Sequence, residues 1–214
     1  MKKILDIYKE YKIMPQLVIH QLRVASVAMT VCDSLDITVD EDSIIKACLF
    51  HDMGNIIKFQ LDKFPEWNEP EGTEYWKKVK DECILKYGDN EHKASLMIGK
   101  EIGLSSKILE LINGMDSKLM GKIYNSNDFD LKICKYADLR VAPRSIVSIN
   151  ERMDEAKKRY EGHKNKFNKQ ERKLFRENII KIEKQIFPYS KIKPEDINDK
   201  YIQKNLEFLK DFEI

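Results

Sequence analysis

The chain has 214 residues, with 38 Lys or Arg against 36 Asp or Glu and a net charge of +2. That length allows one domain with a real core, or one domain plus an appendage. The near-neutral balance does not demand nucleic acid or an anionic membrane as partner. No apolar run approaches the ~20 residues a membrane span needs, and the charged N-terminus lacks the apolar stretch of a signal peptide.

The four cysteines, Cys32, Cys48, Cys83 and Cys134, form no C-x-x-C pair, and three lie in apolar helical surroundings. They read as reduced, buried thiols, and the expected location is cytoplasmic. Gly and Pro are scarce and strict alternation is rare, so the expected fold class is all-α. Residues 1–12 form a short amphipathic segment through Ile4, Leu5, Tyr8 and Tyr11. Pro15 suits the first turn of a second helix running to about Leu35. Its apolar face carries His20, Val24, Val27, Ala28, Val31 and Leu35, so His20 points inward. Asp40 is a good N-cap for a third helix. That helix ends in Leu49-Phe50-His51-Asp52-Met53-Gly54-Asn55, where Gly54 lets the chain leave.

Residues 55–72 are turn-rich, acidic and aromatic and read as an ordered loop or lid. Thr73 is expected to cap a helix to about Tyr87, Gly88-Asp89-Asn90 to break it, and the next helix to carry His92. Ser105 caps a further short helix. From Phe129, the residues Leu131, Cys134, Asp138 and Val141 keep helical spacing, so Asp138 replaces an apolar residue on an inward face. Ala142-Pro143 is expected to end that helix. A helix over about 149–160 precedes a long basic amphipathic one after Gly162, with Phe175, Ile179, Ile182 and Ile186 on one face. A last helix is expected from Pro194-Glu195-Asp196. The expected organisation is a domain over residues 1–162 and a basic helical extension over 163–214, packed on it.

His20, His51, Asp52 and Asp138 all fall on inward helix faces. A buried carboxylate without a partner costs several kcal/mol, so such groups are normally paired or metal-bound. Two imidazoles and two carboxylates converging in a helical core are jointly explained by one divalent cation. Taken singly, an inward His is more often a satisfied core histidine, and the His-Asp pair alone is a weak signal.

His20 in His-Gln-Leu-Arg-Val-Ala, then His51-Asp52, then His92, then Asp138 in Tyr-Ala-Asp-Leu-Arg, resembles the His-Asp (HD) domain superfamily of metal-dependent phosphohydrolases over about residues 15–160. The resemblance implies an all-α helical bundle around a metal site, with His20, His51, Asp52 and Asp138 as ligands. It also implies hydrolysis of a phosphate ester, in a nucleotide or small phosphometabolite. The ion is not distinguished among Mn, Fe, Mg, Co, Ni and Zn. Such a donor set leaves room for a water of lowered pKa and a phosphoryl oxygen.

Around the ligands, Arg23 lies one turn after His20 and suits a phosphate oxygen, and Lys58 is a second candidate. His92 is expected as a phosphate contact or general acid, while Asp52 has a catalytic as well as a ligating role. Arg140 points away from Asp138 and reads as structural or as binding a distal group. Two departures stand out. Nucleotidase-like members place an acid soon after the dyad, where this chain has Asn55. Members with more metals use a later histidine, and Asn113-Gly114-Met115-Asp116 has none, so one ion is expected.

Phe64 or Trp67 of the lid is a candidate to stack on a substrate ring, the alternative being loop packing. Two other classes stay open. A non-catalytic ligand sensor on the same fold is favoured by Asn55. A nucleic-acid-acting nuclease is favoured by the basic stretch Lys157 to Lys193, whose apolar stripe and interspersed Glu suit a solvated helix face better.

Overall fold

The computed structural model describes residues 2–159 and 167–214. The expected boundary at residue 162 and the expected start of the basic helix lie outside the described residues. Within them the fold is all-α. The helices are α1 (Ile4–Glu10), α2 (Pro15–Ser34), α3 (Glu41–Phe50), α4 (Thr73–Tyr87), α5 (Glu91–Ile102), α6 (Ser106–Gly114), α7 (Met120–Asn125), α8 (Phe129–Asp138), α9 (Ile149–Arg159), α10 (Lys169–Ile186) and α11 (Gln203–Lys210). No helix is long and apolar enough to cross a membrane among the described residues.

The centre of the bundle is α2, which packs on α3, α8 and α11. A single inward stripe would suit a surface helix, but α2 buries Ala25, Ser26, Ala28 and Thr30 as well as Leu22, Val24, Val27 and Val31. Small residues on its other faces let three helices approach, which is why it is buried nearly all round. Helix α3 starts where expected: the Asp40 side chain accepts the amide N–H of Ser43. It then buries Ile44, Ile45, Ala47, Cys48, Leu49 and Phe50. The C-terminal helices complete the same core. Phe175, Ile179, Ile182 and Ile186 of α10 pack with α7 and α8, and Leu209 of α11 packs over α2.

Four local expectations are corrected. Gly54 does not supply a special turn; its φ of −91° is open to any residue. Its need is space, because a β-carbon there would lie 2.5 Å from Glu91 O and 2.6 Å from Ala94 Cβ. Thr73 is inside α4 rather than its cap, and its hydroxyl instead accepts from Asn68 Nδ2 at 2.8 Å. Helix α8 ends at Asp138, before Ala142-Pro143, and the chain folds back through an antiparallel bridge between Val141 and Ile146. Pro194–Asp196 forms only a 3-10 turn, and α11 begins later, at Gln203.

The buried Arg140 ties that turn to α8. Its guanidinium donates to Tyr136 Oη and Val147 O, and also to Pro194 O at 3.0 Å and Ile197 O at 2.9 Å. Its structural assignment from the sequence fits these contacts. Arg140→Ala would strand four acceptors, two in buried and two in half-buried hydrogen bonds, and hydrogen bonds to a charged donor contribute about 1.5–3 kcal/mol each in favourable cases. The expected loss is about 3 kcal/mol of unfolding free energy, read from the urea midpoint; an unchanged midpoint would show that the C-terminal segment docks without this clip.

Candidate metal centre

The second turn of α2 and the C-terminal ends of α3 and α8 converge on one point. Helix α2 brings His20, the end of α3 brings His51 with Asp52 directly after it, and the last residue of α8 is Asp138. His20, His51 and Asp52 each offer one ligand atom, and these atoms lie within 4.8 Å of one another. Asp138 lies against both imidazoles of this group. Its Oδ1 is 3.5 Å from His20 Nε2 and 3.7 Å from His51 Nε2. The Asp52 oxygens lie 3.5 Å from His20 Nε2 and 3.7 Å from His51 Nε2. All four side chains are largely buried.

The local chemistry fixes which atoms face inward. His51 Nδ1 is 2.8 Å from Cys48 O, one turn back on α3. A carbonyl only accepts, so Nδ1 carries the proton and donates it. In the neutral ring Nε2 then presents a lone pair. That Nε2 is buried and has no hydrogen-bond partner among the described residues. A buried imidazole nitrogen without a hydrogen-bond partner, 3.7 Å from each of two carboxyl groups, fits a cation better than it fits a packed core.

The four titratable groups respond differently to their burial. Burial alone would raise the Asp52 carboxyl, but His51, Lys58 and His20 outweigh it and hold it below its ordinary value. Burial likewise opposes ionisation of Asp138, yet Lys135, His20 and His51 drive it well below the usual range. Both are therefore carboxylates at neutral pH. Burial pushes the His20 imidazole down despite Asp138 and Asp52. For His51, burial is overcome by Asp52 and Asp138, and the imidazole is raised.

Several positioning groups were not visible from sequence patterns. Gln21 is fully buried, and its Oε1 accepts the amide N–H of Asp52 at 3.2 Å, holding the dyad against α2. Ser95 Oγ accepts the Gly54 N–H at 2.9 Å, docking the turn after the dyad onto α5. Lys135 Nζ is 3.0 Å from Asp138 Oδ2. The only advance signal for Lys135 was its place one helical turn before Asp138.

The other residues singled out in the sequence make contacts of their own. Arg23 Nε is 3.7 Å from Asp199 Oδ1, and Asp199 Oδ2 accepts the Ile146 N–H at 3.1 Å, so the segment before α11 reaches the side of α2 that carries His20 and Arg23. Lys58 Nζ is 3.9 Å from Glu91 Oε1. His92 lies outside the His20–His51–Asp52 cluster; its Nε2 is 3.2 Å from Asn113 O. Asn55 is buried, and its backbone N–H donates to Asp52 O. In the 55–72 segment, Phe64 and Trp67 stack on each other at 4.3 Å, and Asn68 binds Leu61 O and Thr73. The aromatics thus serve loop packing.

The family model described as HD domain matches residues 17–181, which take in all four converging side chains. No curated protein and no solved structure matches the chain. With a match over most of its length and a His-Asp cluster suited to a divalent metal, the chain belongs to the HD-domain family of metal-dependent phosphohydrolases.

Proposed function

We propose that this protein hydrolyses a phosphate ester of a nucleotide or small phosphometabolite, with one divalent ion held by His20, His51, Asp52 and Asp138. The observation that carries the reading is the buried Nε2 of His51, which has no hydrogen-bond partner among the described residues and faces the carboxyl groups of Asp52 and Asp138 at 3.7 Å each. A bound divalent ion would supply Lewis acidity toward a phosphoryl oxygen and lower the pKa of a water. The chain's own residues then have positioning tasks, since phosphoryl transfer depends mainly on charge neutralisation and alignment. Asp52 and Asp138 hold negative charge on the inner side of the site. Arg23 and Lys58 offer positive charge to the phosphate. His92, on the first turn of α5, offers a ring nitrogen for a leaving oxygen.

Arg23→Ala should lower kcat/KM about tenfold to a hundredfold, the equivalent of one hydrogen bond to a charged group. Metal content should not change. A variant with unaltered kcat/KM would assign Arg23 to the Asp199 pair alone. The reaction itself is tested with a panel of nucleotides and phosphometabolites assayed for phosphate release with several metals. Asp52→Ala serves as control, and release that is equal in the two proteins would reject the assignment.

A ligand sensor on the same fold is a second reading. It is favoured by Asn55, which is buried beside the dyad and carries no acid for proton transfer. Sensor and enzyme part in the same panel: a sensor binds a phosphorylated ligand without releasing phosphate. For the basic helix α10, Arg176 pairs with Asp154, Arg172 donates to Phe167 O and the apolar stripe is buried, which suits a solvated helix face.

A further inference from the structure

Asp138 divides its two oxygens between two environments. Oδ1 faces the imidazoles of His20 and His51, while Oδ2 is 3.0 Å from the ammonium of Lys135. That ammonium is also 3.2 Å from Ser117 Oγ, in the turn before α7. Lys135 is only 2% exposed, so its charge is nearly removed from water. An apolar side chain of similar length would fill this volume without the desolvation penalty of a buried charge. Anchoring α8 does not require it either, because Ile133, Cys134, Tyr136 and Ala137 of the same helix are fully buried in the core.

We infer that Lys135 is a positioning residue that occupies Asp138 Oδ2 and so presents Asp138 to the metal through Oδ1 alone. This rests on the metal reading above and deepens it. An ammonium has three donors in a compact head and no acceptor. Two of them are directed by Asp138 and Ser117, which fixes the carboxylate plane through a group that is itself fixed. Groups that hold a ligand from behind set its orientation and basicity, and losing one typically costs 10–100-fold in metal affinity. Lys135 also adds one positive charge beside two carboxylates, leaving the loaded site more receptive to an anionic phosphate than the ligand set alone.

The test is titration of the purified full chain with Co(II), read by the visible absorption of the bound ion, in wild type, Lys135→Met and Lys135→Gln. Glutamine keeps a donor for Oδ2 without the charge. Methionine keeps the bulk and no donor. The expected result is a changed Co(II) spectrum and 10–100-fold weaker binding in Lys135→Met, with the wild-type spectrum largely restored in Lys135→Gln. A Lys135→Met spectrum identical to wild type, or a glutamine variant no closer to wild type than methionine, overturns the inference while leaving the metal site intact. Failure of the wild type to bind Co(II) overturns the metal reading and this inference with it. If Lys135→Met does not fold, the metal-loaded wild-type crystal structure decides: Asp138 bound through Oδ1 with Oδ2 on Lys135 supports the inference, and a bidentate Asp138 refutes it.

Discussion

Asp52→Asn should abolish the stabilisation that a divalent metal gives the wild-type protein. A ligand present at a hundred times its Kd adds about 2.7 kcal/mol to a one-site protein. For a chain of this size, that raises Tm by about 5–11 °C. The substitution is nearly isosteric, so the Gln21 contact to the residue 52 amide survives and the metal-free fold should be little changed. What is lost is a charged donor 3.5 Å from His20 Nε2 and 3.7 Å from His51 Nε2. Metal affinity should fall by more than about a hundredfold, beyond the range typical of an outer-shell partner. His51→Ala should have the same effect on metal and an added cost to the metal-free fold. It empties a buried ring site and strands Cys48 O, together about 2–3 kcal/mol. Equal metal occupancy in wild type and both variants would reject these two residues as ligands.

Gly54→Ala is expected to be the most damaging single methyl group in the site. The added carbon would stand 2.5 Å from Glu91 O, 2.6 Å from Ala94 Cβ and 2.9 Å from Ser95 N, all on the first turns of α5. All three are backbone or Cβ atoms that cannot rotate away. Either α5 or the turn after the dyad must shift, and overpacking of this kind costs about 1–3 kcal/mol, occasionally more. A Tm loss of about 6–12 °C follows for 3 kcal/mol. The shift would also break the Gly54 N–H bond to Ser95 Oγ, two residues from Asp52, so metal affinity should fall as well. Gly103 gives the contrast. It sits at φ +86° with no atom near a would-be β-carbon, so alanine there meets only the left-handed backbone cost of about 1 kcal/mol. A Gly54→Ala protein no less stable than Gly103→Ala would show that the dyad turn does not pack against α5 this closely.

The sequence made the bundle and the convergence of the candidate ligands readable for one reason. His20 and Asp138 each stand where helical spacing calls for an apolar residue, and polar groups inside need partners. Helix starts were equally legible at Asp40 and Ser105, whose side chains cap α3 and α6. What stayed hidden depends on contacts between distant segments. Gln21 does not share the stripe that carries His20, and only the all-round burial of α2 brings its amide to Asp52, 31 residues away. Lys135 reads as a solvated lysine until α8 is packed. Asp199 reaches Arg23 from a segment expected to be the first turns of a helix, and it does so because that segment is non-helical. The role of Gly54 was misjudged because conformation is local and visible, whereas the space it leaves for α5 is not.

The central claim is a single divalent ion bound by two imidazoles and two carboxylates from three helices. The most direct measurement is anomalous scattering, at the absorption edge of the bound metal, from crystals grown with that metal. One peak per chain, bonded by His20 Nε2, His51 Nε2, Asp52 and Asp138 Oδ1, is the expected result. A peak bonded by other side chains, or metal-saturated crystals with no peak among these four residues, would contradict it.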